Sequence, residues 1–589
     1  KLKDWYSLDT CLDESIGLAR VGLGILNPEP QPIFNEDKTL CIMMDGEIYD
    51  YQSLKDDLIN KGHKFTVGND PEFILHLFEE CGKDFVHQLN GSFVVAIFDY
   101  KKQELLIVND RYGLRPLYFT ENNGYLLFSS EIKPILKDKS VKWMVDDSAV
   151  MDFLLFRRIL GTKTFLKGIK LLPAASIMTC NENLISTENY WDFNFQEDSD
   201  HPEEYFVQVL TKLIKQAIER CLKGDHKIAA SLSGGFDSRM ILTNIVRERS
   251  SFHTYTWGGR ACKDARFVSI IAKKLGVHNH FFEYGLDDFL WPEEKINYLS
   301  EGLIDPDSFG IINKLEEVKS LLDIEISGAA GGEILRGECI RKLMEIAINE
   351  EELFKVAYKG MSIDFPENLF NEEWYSKNKE ASTSYFRSLY DKYTDKPILN
   401  KVDHFFNREV LPTYVRSNLV TKNSHFEVRT PYFDNDLVDF AQTIPVSLRK
   451  GSYIMTKVFV KLSPELARIS FEAGGRPTYT NRLQIIKHKA KELFRKIMRQ
   501  VPVCGKNFRD FRFVDYDRWF RKNRNIQEYV RGILLSQKAK SRPYFKPETV
   551  QRILEDQFAG RTDNWKLISR LIILELWHNM FLENEEKQA

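Results

Sequence analysis

Apolar residues never run long enough in this 589-residue chain to reach the roughly 18 consecutive positions of a membrane-spanning helix. A charged start followed by an apolar core is also missing, so no secretory signal is visible. Cysteine is sparse: the eight residues (Cys11, Cys41, Cys81, Cys180, Cys221, Cys262, Cys339 and Cys504) form no Cys-x-x-Cys pair. That spacing argues against a disulfide or zinc framework and predicts reduced thiols filling cores in a cytoplasmic protein. Neither sign of charge dominates. With 82 Lys and Arg against 85 Asp and Glu, the formal net charge of −3 speaks against a chain built to bind nucleic acid. Internal repeats and low-complexity tracts are absent, and the length is too great for one core, so two or more domains are expected. The first residue is Lys1 rather than Met, and the chain is expected to be a fragment.

What the chain does carry is two contrasting patterns. Over the first ~145 residues, "TLCIMMDGEIYD", "SFVVAIFDY", "ELLIVND" and "PLYFTENNGYLLFSS" read as strands broken by turn residues. Between them, "YQSLKDDLINKG" and "DPEFILHLFEECG" have helical spacing, the second closed by a Gly stop. Strands with two intervening helices predict a layered α+β domain. The acidic "WDFNFQEDSDHPEE", near 192–204, reads as a linker. Beyond it, helix "YFVQVLTKLIKQAIERCLKG" leads to strand "KIAASLS" and helix "SRMILTNIVRE". Then "SFHTYTWGG", "ARFVSIIAKKLG", "HNHFFEYG" and "DIEISGAAGGEIL" alternate strand and helix. Such alternation predicts an α/β domain with a parallel sheet. From about residue 340 amphipathic patterns predict a mostly helical remainder.

One corner carries chemistry. A strand that ends in Ser-Gly-Gly and opens a helix presents N–H groups with no side chain in the way, and the helix dipole favours an anion there. Ser233-Gly234-Gly235-Phe236-Asp237-Ser238 is therefore a candidate phosphate site, with the two serine hydroxyls as further donors. Asp237 beside phosphates calls for a cation, and Mg²⁺ shared between carboxylate and phosphate oxygens is the usual arrangement. No Lys follows, so this is not a GxxxxGK[ST] loop. The structural alternative is a tight turn whose Asp and Ser cap the next helix.

"LSGGFDS" resembles the pyrophosphate-binding loop of adenylating ATP pyrophosphatases. Together with "TYTWGG", "ISGAAGGEIL", "SHFEVRTPYFDNDLVDFAQTIP" and the closing "SRPYFKPETVQRILEDQFAG" and "LISRLIILELWHNMFL", it resembles the asparagine synthetase family. Earlier, "ARVGLGI", "DGEIYDY", "GNDPEFIL", "LNGSFVVAIFD", "VNDRYGLRPLYF" and "FSSEIKPIL" resemble, in order, a class II glutaminase domain. The resemblance runs from about residue 15 to the end. It implies an Ntn-type α+β glutaminase-like domain over 1–190, with sheets layered between helices. Over 205–589 it implies an α/β nucleotide-binding domain with a large helical part. The implied reaction adenylates the side-chain carboxylate of aspartate with ATP and Mg²⁺ and lets ammonia, free or from glutamine, displace AMP. Leu232, Ser233, Gly234, Gly235, Asp237 and Ser238 would hold phosphates and metal, Trp257 would face the adenine, and Ser327 and Gly328 would line the nucleotide. In the first half, Arg20 would clamp the glutamine carboxylate and Asp70 its amine. Gly46 and Glu47 would form the substrate loop, and Asp45 stands where an oxyanion-hole Asn belongs. Glu427 and Arg429 would be structural, in the helical half, and two copies of the chain would pair.

Four positions depart from the family pattern. Its N-terminal Cys nucleophile is missing, and Cys11, being internal, has no α-amino group to act as base. Asp45 replaces an amide donor with a group that, when ionised, only accepts hydrogen bonds; losing one such donor costs about 10²–10³ in rate. Gly332 stands where a second metal-binding Asp belongs, leaving the adjacent Glu333 as the second expected ligand beside Asp237, or magnesium held more weakly by Asp237, phosphates and water alone. Ala473 stands where a pyrophosphate-binding Lys is usual, with Arg476 or Lys457 as substitutes. Two further readings therefore stay open: a relative that adenylates another carboxylate and has an inactive glutaminase half, and a non-catalytic nucleotide-binding paralogue. The basic stretch Arg482 to Arg524 reads as a solvated helix face, with RNA or an acidic partner as the alternative.

Overall fold

A computed structural model describes residues 3, 5–122, 124–182, 184–249, 251–260, 262–286, 288, 298–303, 309–337, 349–469 and 514–582. β1 (Ser7–Leu12) and β2 (Gly17–Gly22) form an antiparallel ribbon. β3 (Ile33–Phe34), β4 (Leu40–Ile48), β5 (Gly91–Asp99), β6 (Glu104–Asn109), β12 (Ser176–Asn181) and β13 (Leu184–Asn189) make an antiparallel sheet ordered β13-β12-β6-β5-β4-β3. Side chains alternate between the faces of a strand, so the near-continuous apolar runs of β4 to β6 bury both faces. Ile42, Met44, Val95 and Ile97 meet helices α1 (Gln52–Asn60) and α2 (Asp70–Cys81). Cys41, Met43, Ala96 and Phe98 meet a second layer. That layer contains the β1–β2 ribbon and a sheet of β7 (Tyr118–Asn122), β8 (Tyr125–Ser129) and β11 (Lys170–Leu171). On its far side, Tyr118 and Leu171 pack with α3 (Ile132–Ile135) and α4 (Asp147–Phe156). A short pair, β9 (Met144–Val145) and β10 (Leu166–Lys167), flanks α4 in sequence. The expected α+β layering of sheets between helices is present.

The second half follows helix α5 (Glu203–Cys221). β14 (Ile228–Ser231), β15 (His253–Gly258), β16 (Asn279–Glu283), β17 (Ile324–Ile326) and β18 (Glu427–Arg429) form a wholly parallel sheet ordered β16-β15-β14-β17-β18. α6 (Phe236–Glu248) joins β14 to β15, and α7 (Lys263–Leu275) joins β15 to β16. The fifth strand corrects the expectation for "FEVRT": Glu427 to Arg429 lie at the sheet edge, not in a helical frame. Beyond residue 349 helices dominate the rest of the described chain. Among the described residues no helix is long and apolar enough to cross a membrane, and the six described cysteines are free thiols. Cys339 and Cys504 lie outside the described residues.

The acidic segment near 192–204 is not a loose linker. Phe193 and Phe195 are buried in the core of the second half, and the Asp198 N–H donates to the Thr443 carbonyl at 2.7 Å. Glu197 ties it down as well, accepting from Asn400 Nδ2 at 3.0 Å and from the Val446 N–H at 3.1 Å. At its start, Asp192 Oδ1 lies 3.0 Å from His404 Nε2, while Asp395 Oδ2 lies 2.9 Å from His404 Nδ1. Burial by itself would lower the His404 pKa, but the hydrogen bonds and charges of Asp192 and Asp395 outweigh it and raise the pKa. Protonated His404 therefore favours the fold. Its contribution is full below the ordinary imidazole value of about 6.5 and is lost as pH rises through the raised folded value. Thermal melts of wild type and H404Q should differ by a constant amount between about pH 5.5 and 6.5 and converge at higher pH. A difference that grows with pH would contradict this.

Candidate functional site

Strand order along the parallel sheet reverses between β14 and β17, with β15 and β16 on one side and β18 on the other. Loops leaving the C-terminal ends of β14 and β17 diverge there and leave the crevice in which open α/β sheets bind ligands. The Ser233–Ser238 corner lies in it, between β14 and the first turn of α6, whose N-cap is Gly235. The corner is internally braced. Ser233 N–H donates to Ser238 Oγ at 3.2 Å, Gly235 N–H to Ser233 Oγ at 3.1 Å, and Gly234 N–H to the buried Asp264 Oδ1 at 2.6 Å. Arg239 Nη2 donates to the Gly234 carbonyl at 2.8 Å. Leu232 serves the sheet: its N–H reaches the Tyr255 carbonyl at 2.8 Å and its own carbonyl accepts from Thr256 Oγ1 at 2.7 Å.

The loop after β17 closes on this corner through glycine. A Cβ on Gly328 would lie 3.1 Å from Ser238 N, and one on Gly331 would lie 2.6 Å from Asp237 Oδ1. Ser327 anchors the same loop by donating its N–H to the Arg429 carbonyl at 2.9 Å. Trp257 stands at the C-terminal end of β15, half-buried, edge-on to Tyr284 at 6.4 Å.

Around Asp237 the arrangement differs from the expected metal site. Arg336 Nη2 donates to Asp237 Oδ2 at 2.9 Å, and Tyr432 Oη donates to the Asp237 backbone carbonyl at 3.2 Å. Gly332 offers no side-chain donor, and Glu333 follows it in the short helix Gly331–Leu335. Mg²⁺ requires near-octahedral oxygen ligands at about 2.0–2.1 Å. A carboxylate already bonded to a guanidinium, beside a glycine in place of its partner, does not fit a two-carboxylate magnesium site. Lys457 pairs with Glu203 on the exposed faces of their helices, so it is not the substitute phosphate ligand expected of it. Ala473 and Arg476 lie outside the described residues, as does the basic stretch up to residue 513. Its described end is mixed: Arg524 pairs with Glu528 in solvent, while Arg521 pairs with the buried Asp517.

In the first half, Asn27 gathers the glutamine-site candidates. Its amide donates to the Gly46 carbonyl at 3.0 Å and Asp70 Oδ2 at 3.1 Å, and its Oδ1 accepts from Asp70 N–H at 3.1 Å. Asp70 also accepts from Tyr51 Oη at 2.8 Å and Ile48 N–H at 3.1 Å, and burial raises its pKa. Arg20 is held next door, donating to the Leu26 carbonyl at 2.9 Å and lying 3.4 Å from Asp9. Asn27 thus joins Gly46 to Asp70, and Arg20 is held on the carbonyl of Leu26, the residue before Asn27. Cys11 packs into the apolar layer beside Cys41 and Met43.

Asp45 and Glu47 do something the sequence did not suggest: Glu47 pairs directly with the other half of the protein, and Asp45 is linked to it through Arg115. Arg115 bridges Asp45 at 2.9 Å and Glu427 at 2.7 Å. Arg429 grips both Glu47 oxygens at 2.7 Å and donates to the carbonyls of Cys221 and Lys223 at 2.8 Å. Glu427 and Arg429 are two residues apart on β18 and so share one face. The expectation of exposed charges is corrected: both are buried and ion-paired. Asp45 does not present a bare charge either, since Arg115 balances it. Residues missed from sequence include Arg239 and Arg336, each legible only as a cation near a glycine turn. Asp264 and Asn27 carried no local signal.

Comparison with known proteins follows this division. Residues 7–191 match the family model for a glutamine amidotransferase domain, and residues 209–579, well over half of the chain, match that for asparagine synthase. Asparagine synthetase [glutamine-hydrolyzing] 2 of Bacillus subtilis is 27% identical over 475 aligned positions, covering 74% of this chain and 62% of that protein. The chain therefore spans less than two thirds of that relative. Asparagine synthetase [glutamine-hydrolyzing] 1 of the same organism is 22% identical over 625 positions, covering 97% of this chain and 90% of that protein. Amidase chyE of Penicillium rubens is 30% identical over 239 positions, covering 38% and 34%.

Proposed function

We propose that this chain, which belongs to the asparagine synthase family, forms an amide from a carboxylate, ATP and ammonia through an acyl-adenylate, with aspartate as the carboxylate. The observation that carries this reading is the Ser233–Ser238 corner at the reversal point of the sheet, closed over by Gly328 and Gly331. Carboxylates acylate amines poorly until one oxygen becomes a good leaving group. In the proposed reaction a carboxylate oxygen attacks the α-phosphorus, and the bond to pyrophosphate breaks. Ammonia then adds to the acyl carbon, a proton is lost, and AMP leaves with the transferred oxygen. This chain's own residues bind and orient the reactants. Backbone N–H groups of Ser233 to Gly235 exchange their internal partners for phosphate oxygens, Ser233 and Ser238 donate hydroxyls, and Trp257 borders the base.

The ammonia is free or comes from glutamine held by Arg20 and Asp70. Free ammonia is the better donor, because Asp45 cannot donate to an oxyanion and its carboxylate is bound to Arg115. A second reading, another carboxylate in place of aspartate, is favoured by Gly332, which removes a side chain from the corner that the family pattern fills. Product analysis tests the proposal. Aspartate, ammonium and ATP should give asparagine with AMP and pyrophosphate in equal amounts. ADP and phosphate would overturn the mechanism, and turnover with a different acid alone would select the second reading.

A further inference from the structure

We infer that the guanidinium of Arg336 is the cation this site supplies to the phosphates of its nucleotide, in place of a metal ion held between two carboxylates. The inference rests on the nucleotide reading of the Ser233–Ser238 corner and concerns how that corner balances charge. Asp237 is the second residue of α6, and a polyphosphate drawn to the helix N-terminus would meet its carboxylate. Some cation must stand between them. Arg336 Nη2 is 2.9 Å from Asp237 Oδ2, and the guanidinium lies over the Phe236 ring at 5.3 Å. Two consecutive residues at the start of α6 therefore fix its position, one by charge and one by stacking.

Gly332 removes the second carboxylate that the family pattern places here. Asp237 is closed in by Gly331, where a Cβ would come within 2.6 Å of its oxygen and 2.8 Å of the Tyr432 ring. Gly332 next to it carries no ligand atom. Arg336 is itself the exit residue of that short glycine-led helix, so one loop both removes a carboxylate and adds a permanent positive charge. Guanidinium suits this role because it stays protonated at every physiological pH, and its planar fork can bind a carboxylate and a phosphate together. Arg239, buried, braces the same turn from Nη2 to the Gly234 carbonyl at 2.8 Å and reaches the Ile469 carbonyl from Nη1 at 2.9 Å. Arg336 is thus a binding and positioning residue, and nucleotide affinity should depend on it more than on magnesium.

Calorimetric titration of the full chain with ATP, in magnesium and in EDTA, tests this without any turnover. Wild type should lose less than fivefold in affinity when magnesium is removed. R336M, which keeps an aliphatic stem over Phe236, should bind ATP in EDTA at least fivefold more weakly than wild type. R336K, which keeps a charge, should fall between the two. A wild-type loss of fivefold or more in EDTA overturns the inference even if R336M does not fold. So does an R336M affinity in EDTA within fivefold of wild type. Absence of ATP binding under both conditions would instead remove the nucleotide reading on which the inference stands.

Discussion

Arg429→Ala should cost about 3–5 kcal/mol of stability, the range for breaking a buried ion pair by removing one partner. Arg429 and Glu47 are both buried and meet through two hydrogen bonds of 2.7 Å. Without the guanidinium, the Glu47 carboxylate keeps only Tyr49 Oη, at 3.1 Å, as a hydrogen-bond donor among the described residues. The carbonyls of Cys221 and Lys223 also lose their donor. Lysine cannot replace it, because a single ammonium does not reproduce a planar fork serving a carboxylate and two carbonyls. Exchanging both partners for apolar residues, as in E47M with R429M, removes the orphaned charge and should recover most of the loss. Urea unfolding followed separately in each half should show both midpoints falling together in R429A. An R429A midpoint equal to wild type would mean that the pair does not hold the halves together.

Gly46→Ala should be at least as damaging, about 4 kcal/mol or more, as backbone strain adds to overpacking that nothing can relieve. Gly46 has φ +112°, a conformation that L side chains rarely adopt. Its added Cβ would lie 2.0 Å from the Ser92 carbonyl oxygen and 2.8 Å from Phe93 Cα, both backbone atoms of the paired strand β5. The same methyl would approach Arg115 Nε to 2.8 Å, disturbing the guanidinium that joins Asp45 to Glu427. Strand pairing, the glutamine-site loop and the contact between halves therefore fail from one substitution. Gly62→Ala is the matched control: φ is +107°, yet nothing lies within 4 Å of the added carbon. G62A should show the strain cost alone, about 1–3 kcal/mol. Soluble yield and melting temperature report both, and equal losses in the two variants would refute the steric argument.

Legibility in the sequence followed the range of the interactions. Strands β4 to β8 and helices α1, α2 and α5 to α7 were readable because local periodicity and turn residues dictate them. β18 was not, since three residues carry too little alternation to stand out from the helices around them. Segment 192–204 reads as a linker from its acids, but its packing through Phe193, Phe195 and Glu197 was not legible. The corner Ser233–Ser238 was legible as a local motif, but its neighbours were not. Asp264 and Arg336 reach it from 30 and 99 residues away in the chain. Glu47 and Arg429 are 382 residues apart, and no local pattern marks either as half of a buried pair. Single charges in a sequence read as solvated by default, and only the fold shows which have left water.

Oxygen transfer tests the central claim most directly. Aspartate labelled with ¹⁸O in its side-chain carboxylate, incubated with the full chain, ATP and ammonium, should deliver one labelled oxygen to AMP for each asparagine formed. That result requires a carboxylate oxygen bonded to the α-phosphorus. Label in inorganic phosphate, or amide formation with unlabelled AMP, would contradict adenylation at the Ser233–Ser238 corner.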